Sequence, residues 1–136
     1  MGRILAIDFG MKRIGLARSD PSKIIASPFK TIQCGKTLEE TAALIIKECE
    51  GVDMIILGLP LLLSGKDSET TATVRAFAAL LEEKSGLPLI LWDERLTSKQ
   101  VEKLLIEGNV SRKKRSQHVD VLSATLILQS YLNQSL

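Results

Sequence analysis

Aromatic side chains are scarce in this chain: Trp92, Tyr131 and three phenylalanines among 136 residues. That scarcity argues against a protein that grips single strands by stacking base after base on aromatic platforms. It leaves contacts to a phosphate backbone open. Histidine is scarcer still, and the lone His118 has no second histidine or cysteine pair near it, which argues against a zinc site. The two cysteines, Cys34 and Cys49, fall in no metal-ligand spacing and read as reduced thiols. No uninterrupted apolar run approaches the ~20 residues that cross a bilayer, and Met1-Gly2-Arg3-Ile4 lacks a signal-peptide pattern. The expectation is a cytoplasmic protein with no membrane contact. Repeats, linkers and low-complexity stretches are absent, so residues 1–136 are expected to form a single domain.

Charge is present but nearly balanced, with 18 Lys and Arg against 16 Asp and Glu. The distribution is more informative than the sum. Arg112, Lys113, Lys114 and Arg115 are consecutive, and Lys12-Arg13 form a smaller pair. Basic clusters of this kind attract phosphate backbones, although a run taken alone also fits a solvated loop.

The hydrophobic pattern gives an order of elements. Residues 3–8 (RILAID) read as a buried strand, Gly10 as a turn, and Arg13 to Ser19 as an alternating second strand forming a hairpin with the first. Ile24 to Gln33 reads as a third strand, bent near Ser27-Pro28 because proline cannot donate to a ladder. Thr37-Leu38-Glu39-Glu40 has a capping-box pattern and opens a helix ending near Gly51. Val52 to Leu59 is a strand closed by Pro60, and Leu61 to Asp67 reads as a mobile stretch. A helix from about Ser68 stops at Gly86-Leu87-Pro88, and Leu89 to Trp92 is the last strand. Thr97-x-x-Gln100 caps a further helix through Leu105. A basic loop, 111–116, then leads to a helix from Val119 to Leu132. The order β-β-β-α-β-α-β-α-α predicts a mixed five-stranded α/β sheet with helices on both faces.

Three acidic positions fall where these elements begin or end. Asp8 closes the first strand, Asp93 and Glu94 close the last, and Asp120 opens the final helix. An acid at the tip of a buried strand costs desolvation energy unless it is paired or holds a cation. If strand 1 is central, Asp8 lies at the C-terminal sheet edge, where open α/β sheets bind ligands. Strand 5 delivers Asp93 and Glu94 to that edge, and the longer Glu94 reaches farther. Asp8, Glu94 and Asp120, with Asp93 as the alternative to Glu94, form a candidate hard-oxygen site for one or two Mg²⁺ or Mn²⁺ ions. Two such ions about 4 Å apart can activate an attacking water and stabilise the leaving oxygen of a phosphodiester. Each acid also has a structural alternative. Asp8 can accept from the Gly10 turn, Glu94 can pair with Arg95, and Asp120 can favour a helix dipole.

The same segments resemble the YqgF/RuvX family of RNase H-like proteins. The matching blocks are Ile7-Asp8-Phe9-Gly10-Met11-Lys12-Arg13-Ile14-Gly15-Leu16-Ala17, Gly58-Leu59-Pro60, Asp93-Glu94-Arg95-Leu96-Thr97-Ser98, and Asp120 to Gln129 after the basic run. They lie in order along essentially the whole chain. The resemblance implies an RNase H-like fold and a metal-dependent nuclease acting in 5′-end processing of pre-16S rRNA, hence in ribosome biogenesis. Holliday-junction resolution is the nearest alternative. It implies structured RNA as partner, with branched DNA and the ribosome as further partners. By motif position Asp8, Glu94 or Asp93, and Asp120 form the acidic site. Lys12, Arg13 and Arg95 are its basic accompaniment, and Arg112, Lys113, Lys114 and Arg115 are expected to hold phosphates. The chain departs from the pattern twice. Junction-resolving relatives carry an acid on the strand next to strand 1, which here ends Leu57-Gly58-Leu59-Pro60. Leu61-Leu62-Leu63 stands where polar residues are usual. Two readings from other classes compete: an actin-like nucleotide binder, for which the chain is too short to supply a second lobe, and a non-catalytic RNA- or ribosome-binding protein.

Overall fold

The structure, a computed structural model, describes residues 2–62, 64–93 and 112–134, with only the backbone of 112–120. β1 (Arg3–Phe9), β2 (Arg13–Ser19), β3 (Ala26–Gln33), β4 (Val52–Leu59) and β5 (Leu89–Asp93) form one sheet in the order β3-β2-β1-β4-β5. β1 is antiparallel to β2 and parallel to β4, which is parallel to β5. β1 is therefore central, and the C-terminal ends of β1, β4 and β5 share one edge. This is the RNase H-like arrangement. Helices α1 (Leu38–Ile46) and α2 (Glu69–Ser85) cover one face, and α3 (Arg112–Gln134) covers the other. The helix expected over 97–105 lies outside the described residues.

Strand alternation divides β1 between two cores. Leu5, Ile7 and Phe9 pack with Ile55, Leu57, Val74, Phe77 and Leu81 under α1 and α2. Ile4 and Ala6 pack with Ala17, Ile56, Ala124, Ile127 and Leu128 under α3. Each fully buried Leu or Ile contributes about 1.5–3 kcal/mol. Central strands buried on both faces read as unbroken apolar runs, which is why β1 and β4 are plain in the sequence. For α2, the Ser68 hydroxyl accepts from the Thr71 N–H while Thr71 accepts from the Ser68 N–H. Gly86 ends α2 in the left-handed region at φ 69°.

Five expectations need correction. β3 begins at Ala26, not Ile24, because one Asp20 carboxylate oxygen takes the N–H groups of Ile24 and Ile25, each at 2.8 Å, and closes a turn. The Thr37 hydroxyl caps α1, but the Glu40 carboxylate accepts from the Lys36 N–H at 2.8 Å and completes no reciprocal box. α1 also stops at Ile46, after which short i→i+3 bonds from Glu48 and Cys49 tighten the chain toward Gly51. The 61–67 stretch is a hydrogen-bonded loop: Leu61 pairs with Asp67, and the Leu62 N–H donates to the Lys66 carbonyl at 2.9 Å. Of its leucines, Leu61 packs against the core and Leu62 is exposed. Finally, α3 starts at Arg112. The basic run is its first turn and not a loop, since Arg and Lys are good helix formers. Asp120 therefore lies in the third turn and does not open the helix.

Candidate active site

Asp8 is the one described acid that is buried, at 7% exposure. Alternation puts it on the α3 face, after Ile4 and Ala6. Its antiparallel partner on β2 is Gly15. On β4, Gly58 follows Leu57, the partner of Ile7, and so flanks Asp8 from the other side. Thr31 continues the row beyond Gly15, and Trp92 continues it beyond Gly58. The two strands touching Asp8 thus carry no side chain at its level. On those two strands only backbone flanks the carboxylate.

The β1–β2 turn beside Asp8 depends on Gly10, where a Cβ would collide with the Arg13 carbonyl oxygen. Lys12 is exposed on this turn. Arg13 shares the parity of Gly15 and Ala17, which puts it on Asp8's face, one diagonal step away. The turn therefore brings two cations to the carboxylate's edge.

α3 has a defined direction over this face. The Gln129 side chain accepts from the Ala26 N–H at 2.9 Å, and Ala26 lies opposite Ser19 at the far end of β2. Tyr131 meets Trp92 edge-on, with ring centroids 5.9 Å apart. From the Ile4 level to Asp8 is about 13 Å at ~3.3 Å per strand residue. From Gln129 back to Asp120 is also about 13 Å at 1.5 Å per helical residue. Ser123 and Ala124, one turn after Asp120, are buried on the sheet. α3 therefore passes over the face of the sheet that carries Asp8.

Asp93 reaches the same edge but the wrong face. Leu89 and Leu91 belong to the α1/α2 core, while Trp92 packs with the α3 side. Asp93 therefore points away from Asp8. Glu94, Arg95 and the Asp120 side chain lie outside the described residues. Among the described residues, no three His, Cys, Asp or Glu side chains are grouped to hold a metal ion.

Three features were not singled out as functional from the sequence. The flanking pair Gly15 and Gly58 becomes visible only once the register is known. Gln129 lies in a quoted motif, but its bond to Ala26 spans most of the chain. The Ser123 hydroxyl is buried with no hydrogen-bond partner among the described residues. Elsewhere, Cys34 and Cys49 form no disulfide, and burial pushes the Cys49 thiol up from its ordinary range, which suits an unreactive position against the core.

Residues 2–134 match the family described as "RuvX: Holliday junction resolvase". A protein of Protochlamydia amoebophila (strain UWE25) is 46% identical over 140 residues, covering 96% of this chain and 93% of that protein. One from Koribacter versatilis (strain Ellin345) is 48% identical over 135 residues, covering 98% and 88%. Both carry the name "Putative pre-16S rRNA nuclease". Among solved structures, "T. thermophilus RuvC in complex with Holliday junction substrate" aligns with a TM-score of 0.59 over 99% of this chain and 96% of that one. At 13% identity this is a likeness of fold. With a family match that omits only the terminal residues, and relatives nearly half identical along most of their length, this chain belongs to the RuvX family.

Proposed function

We propose that the chain is a metal-dependent nuclease that hydrolyses phosphodiester bonds of structured RNA in 5′-end processing of pre-16S rRNA. The observation that carries this reading is Asp8, a buried carboxylate at the ligand-binding edge, flanked by glycine on both neighbouring strands and on the face that α3 covers. Family membership and the shared name of the relatives point to the same activity.

The candidate acids are Asp8, Glu94 and Asp120. Asp93 faces the α1/α2 core side, away from Asp8, and the Glu side chain is the longer of the two; this favours Glu94 over Asp93. A set of three carboxylates offers hard oxygen donors, which suit Mg²⁺ or Mn²⁺ better than softer metals. With glycine on both flanking strands, no side chain of β2 or β4 crowds Asp8, which suits an ion that keeps part of its water shell. A bound cation would supply Lewis acidity at the phosphoryl oxygens and charge neutralisation at the leaving oxygen. The chain itself supplies the anionic cradle, the register that holds it, and cations for the flanking phosphates.

Lys12, Arg13 and Arg95 would hold phosphates next to the cleaved bond, and Arg112 to Arg115 would hold more distant ones. The second group sits in the first turn of α3, which contains no acid. Cations there oppose the helix dipole, so they weaken the helix where they stand. An anionic partner offsets that cost. We take residues 1–136 as one domain that works in the cytoplasm with rRNA or the ribosome as partner. Among the described residues no helix is long and apolar enough to cross a membrane.

The test is cleavage of a pre-16S rRNA fragment with Mg²⁺ or Mn²⁺ by the wild type and by Asp8→Asn, with a Holliday junction run alongside. Wild-type cleavage of the RNA that Asp8→Asn lacks supports the proposal. Cleavage of the junction alone would replace rRNA with branched DNA. Binding of RNA by both proteins without cleavage by either would leave a non-catalytic binder.

A further inference from the structure

A cavity of about 270 Å³ opens at the same sheet edge as Asp8 but under the opposite face, and the catalytic reading leaves it unused. Its apolar wall is Phe9, Met11 and Leu38, and Thr37, Thr41 and Thr73 contribute hydroxyls. We propose that this cavity receives one nucleobase of the substrate strand, from a nucleotide adjoining the one whose phosphate lies at Asp8. The inference rests on the nuclease reading of that edge.

Chain continuity is the first argument. Asp8 and Phe9 are consecutive, and alternation sends one to the α3 face and the other into the cavity. Met11 lines the cavity from the turn that also carries Lys12 and Arg13. A strand held at its phosphates by those two cations lies across the turn, with the carboxylate on one side and the cavity on the other. Lys36 lies on the cavity's rim and is exposed, adding a third cation to that path.

Size and chemistry are the second. The volume is just below the roughly 300–1,000 Å³ of sites that enclose drug-sized ligands, which suits one flat ring system and not a whole nucleotide. RNA is read mainly through unstacked bases inserted between side chains and bonded along their edges. The Met11 side chain is 69% exposed and unbranched, able to lie along a ring face. The edge groups are complementary to a base. The Thr73 hydroxyl donates to the Glu69 carbonyl and keeps an accepting oxygen. The Thr37 hydroxyl accepts from the Glu40 N–H, and its proton has no acceptor among the described residues. Thr41 is already committed, accepting from the Gly35 N–H and donating to the Thr37 carbonyl. The lining residues thus include one hydroxyl able to donate and one able to accept, beside the apolar side chains of Phe9, Met11 and Leu38. The scarcity of aromatics fits a single base slot better than a stacking platform.

The experiment measures binding in the Asp8→Asn background, using a pre-16S RNA fragment and a series of the same RNA with one abasic nucleotide at each successive position. One position should weaken binding about tenfold when abasic. Thr73→Phe, which fills the slot, should bind intact RNA as weakly as the abasic RNA and show no further loss with it. Met11→Ala, a change at an exposed side chain, should reduce the abasic penalty at the same position and keeps the test valid if the filled variant misfolds. An abasic penalty that survives both variants, or no penalty at any position, overturns the proposal. Wild-type cleavage of the intact RNA is scored separately. Cleavage without the position-specific penalty sinks the base slot alone, and a penalty without cleavage sinks the nuclease reading alone.

Discussion

Removing the hydroxyl of Ser123 should make the protein more stable. Ser123 is 1% exposed, lies against the sheet in α3, and its hydroxyl has no hydrogen-bond partner among the described residues. An unsatisfied buried hydroxyl costs about 1–3 kcal/mol, the desolvation penalty left uncompensated. Alanine removes that penalty and raises helix propensity by a further few tenths of a kcal/mol. The opposing loss is the packing of one oxygen atom, below the ~0.8 kcal/mol of a buried methylene. The net gain is about 1–2 kcal/mol, which at this chain length raises Tm by roughly 3–8 °C. Urea unfolding followed by far-ultraviolet circular dichroism gives the check: the midpoint should rise with an unchanged slope. The contrast with Thr125 sharpens it. That hydroxyl donates to the Val121 carbonyl at 2.8 Å, so Thr125→Val, which keeps the shape, should be no better than neutral. A Ser123→Ala variant less stable than wild type by 1 kcal/mol or more would refute the reasoning, because it would mean the hydroxyl is bonded in the folded protein.

Asp93→Asn should leave metal-dependent cleavage within a few-fold of wild type while Glu94→Gln lowers it at least a hundredfold; equal losses in single-turnover assays would overturn the assignment by strand face. Gln129→Ala should cost about 1–3 kcal/mol in urea unfolding, because it strands the Ala26 N–H at a part-buried contact. Neutralising two residues of 112–115 should weaken RNA binding evenly across sequences and reduce the salt slope by about 1–2; an unchanged slope removes that run from the interface. The N–H groups of Ile25 and Ile24 hold the Asp20 carboxyl below its ordinary range. Its folded pKa is therefore depressed, so its stabilisation is full above the unfolded value of about 3.9 and is lost as pH falls through the folded value. The advantage of wild type over Asp20→Asn should be constant near neutrality and vanish in strong acid, and an advantage growing toward low pH would contradict the assignment.

The strands that organise this fold were legible because their chemistry is unambiguous. β1 and β4 are buried on both faces, so each is a nearly unbroken apolar run, and β2 matches its expected bounds of Arg13 and Ser19. The caps of α2 were legible for a similar reason, since Ser68 and Gly86 each perform a local backbone task. The start of β3 was hidden because a carboxylate substitutes for a strand partner: the Asp20 side chain takes two N–H groups that periodicity had assigned to a ladder. The start of α3 was hidden by charge. Four consecutive cations read as solvated loop, although their intrinsic preference is helical. The face of Asp93 could have been counted from Trp92, but only with knowledge of which core Trp92 joins. Edge position follows from element order; face requires the packing.

That distinction explains the chain's departure at β4, where junction-resolving relatives carry an acid. On β4 the positions that share Asp8's face are Met54, Ile56 and Gly58. Ile56 is sealed under α3, and an acid there would be buried beyond reach of the edge. Gly58 is the one position level with Asp8, and a carboxylate at that point would stand a single interstrand spacing of about 4.8 Å away, close enough to demand a shared cation or a shared proton. Leu59 faces the other core and is buried. The Pro60 carbonyl accepts from the Thr71 hydroxyl, which ties the end of β4 to the start of α2. Apart from Gly58, the positions at the end of β4 thus have structural tasks. On the nuclease proposal, β4 therefore contributes no acid to the site, and Glu94→Gln is the substitution that tests whether the chain supplies one from elsewhere.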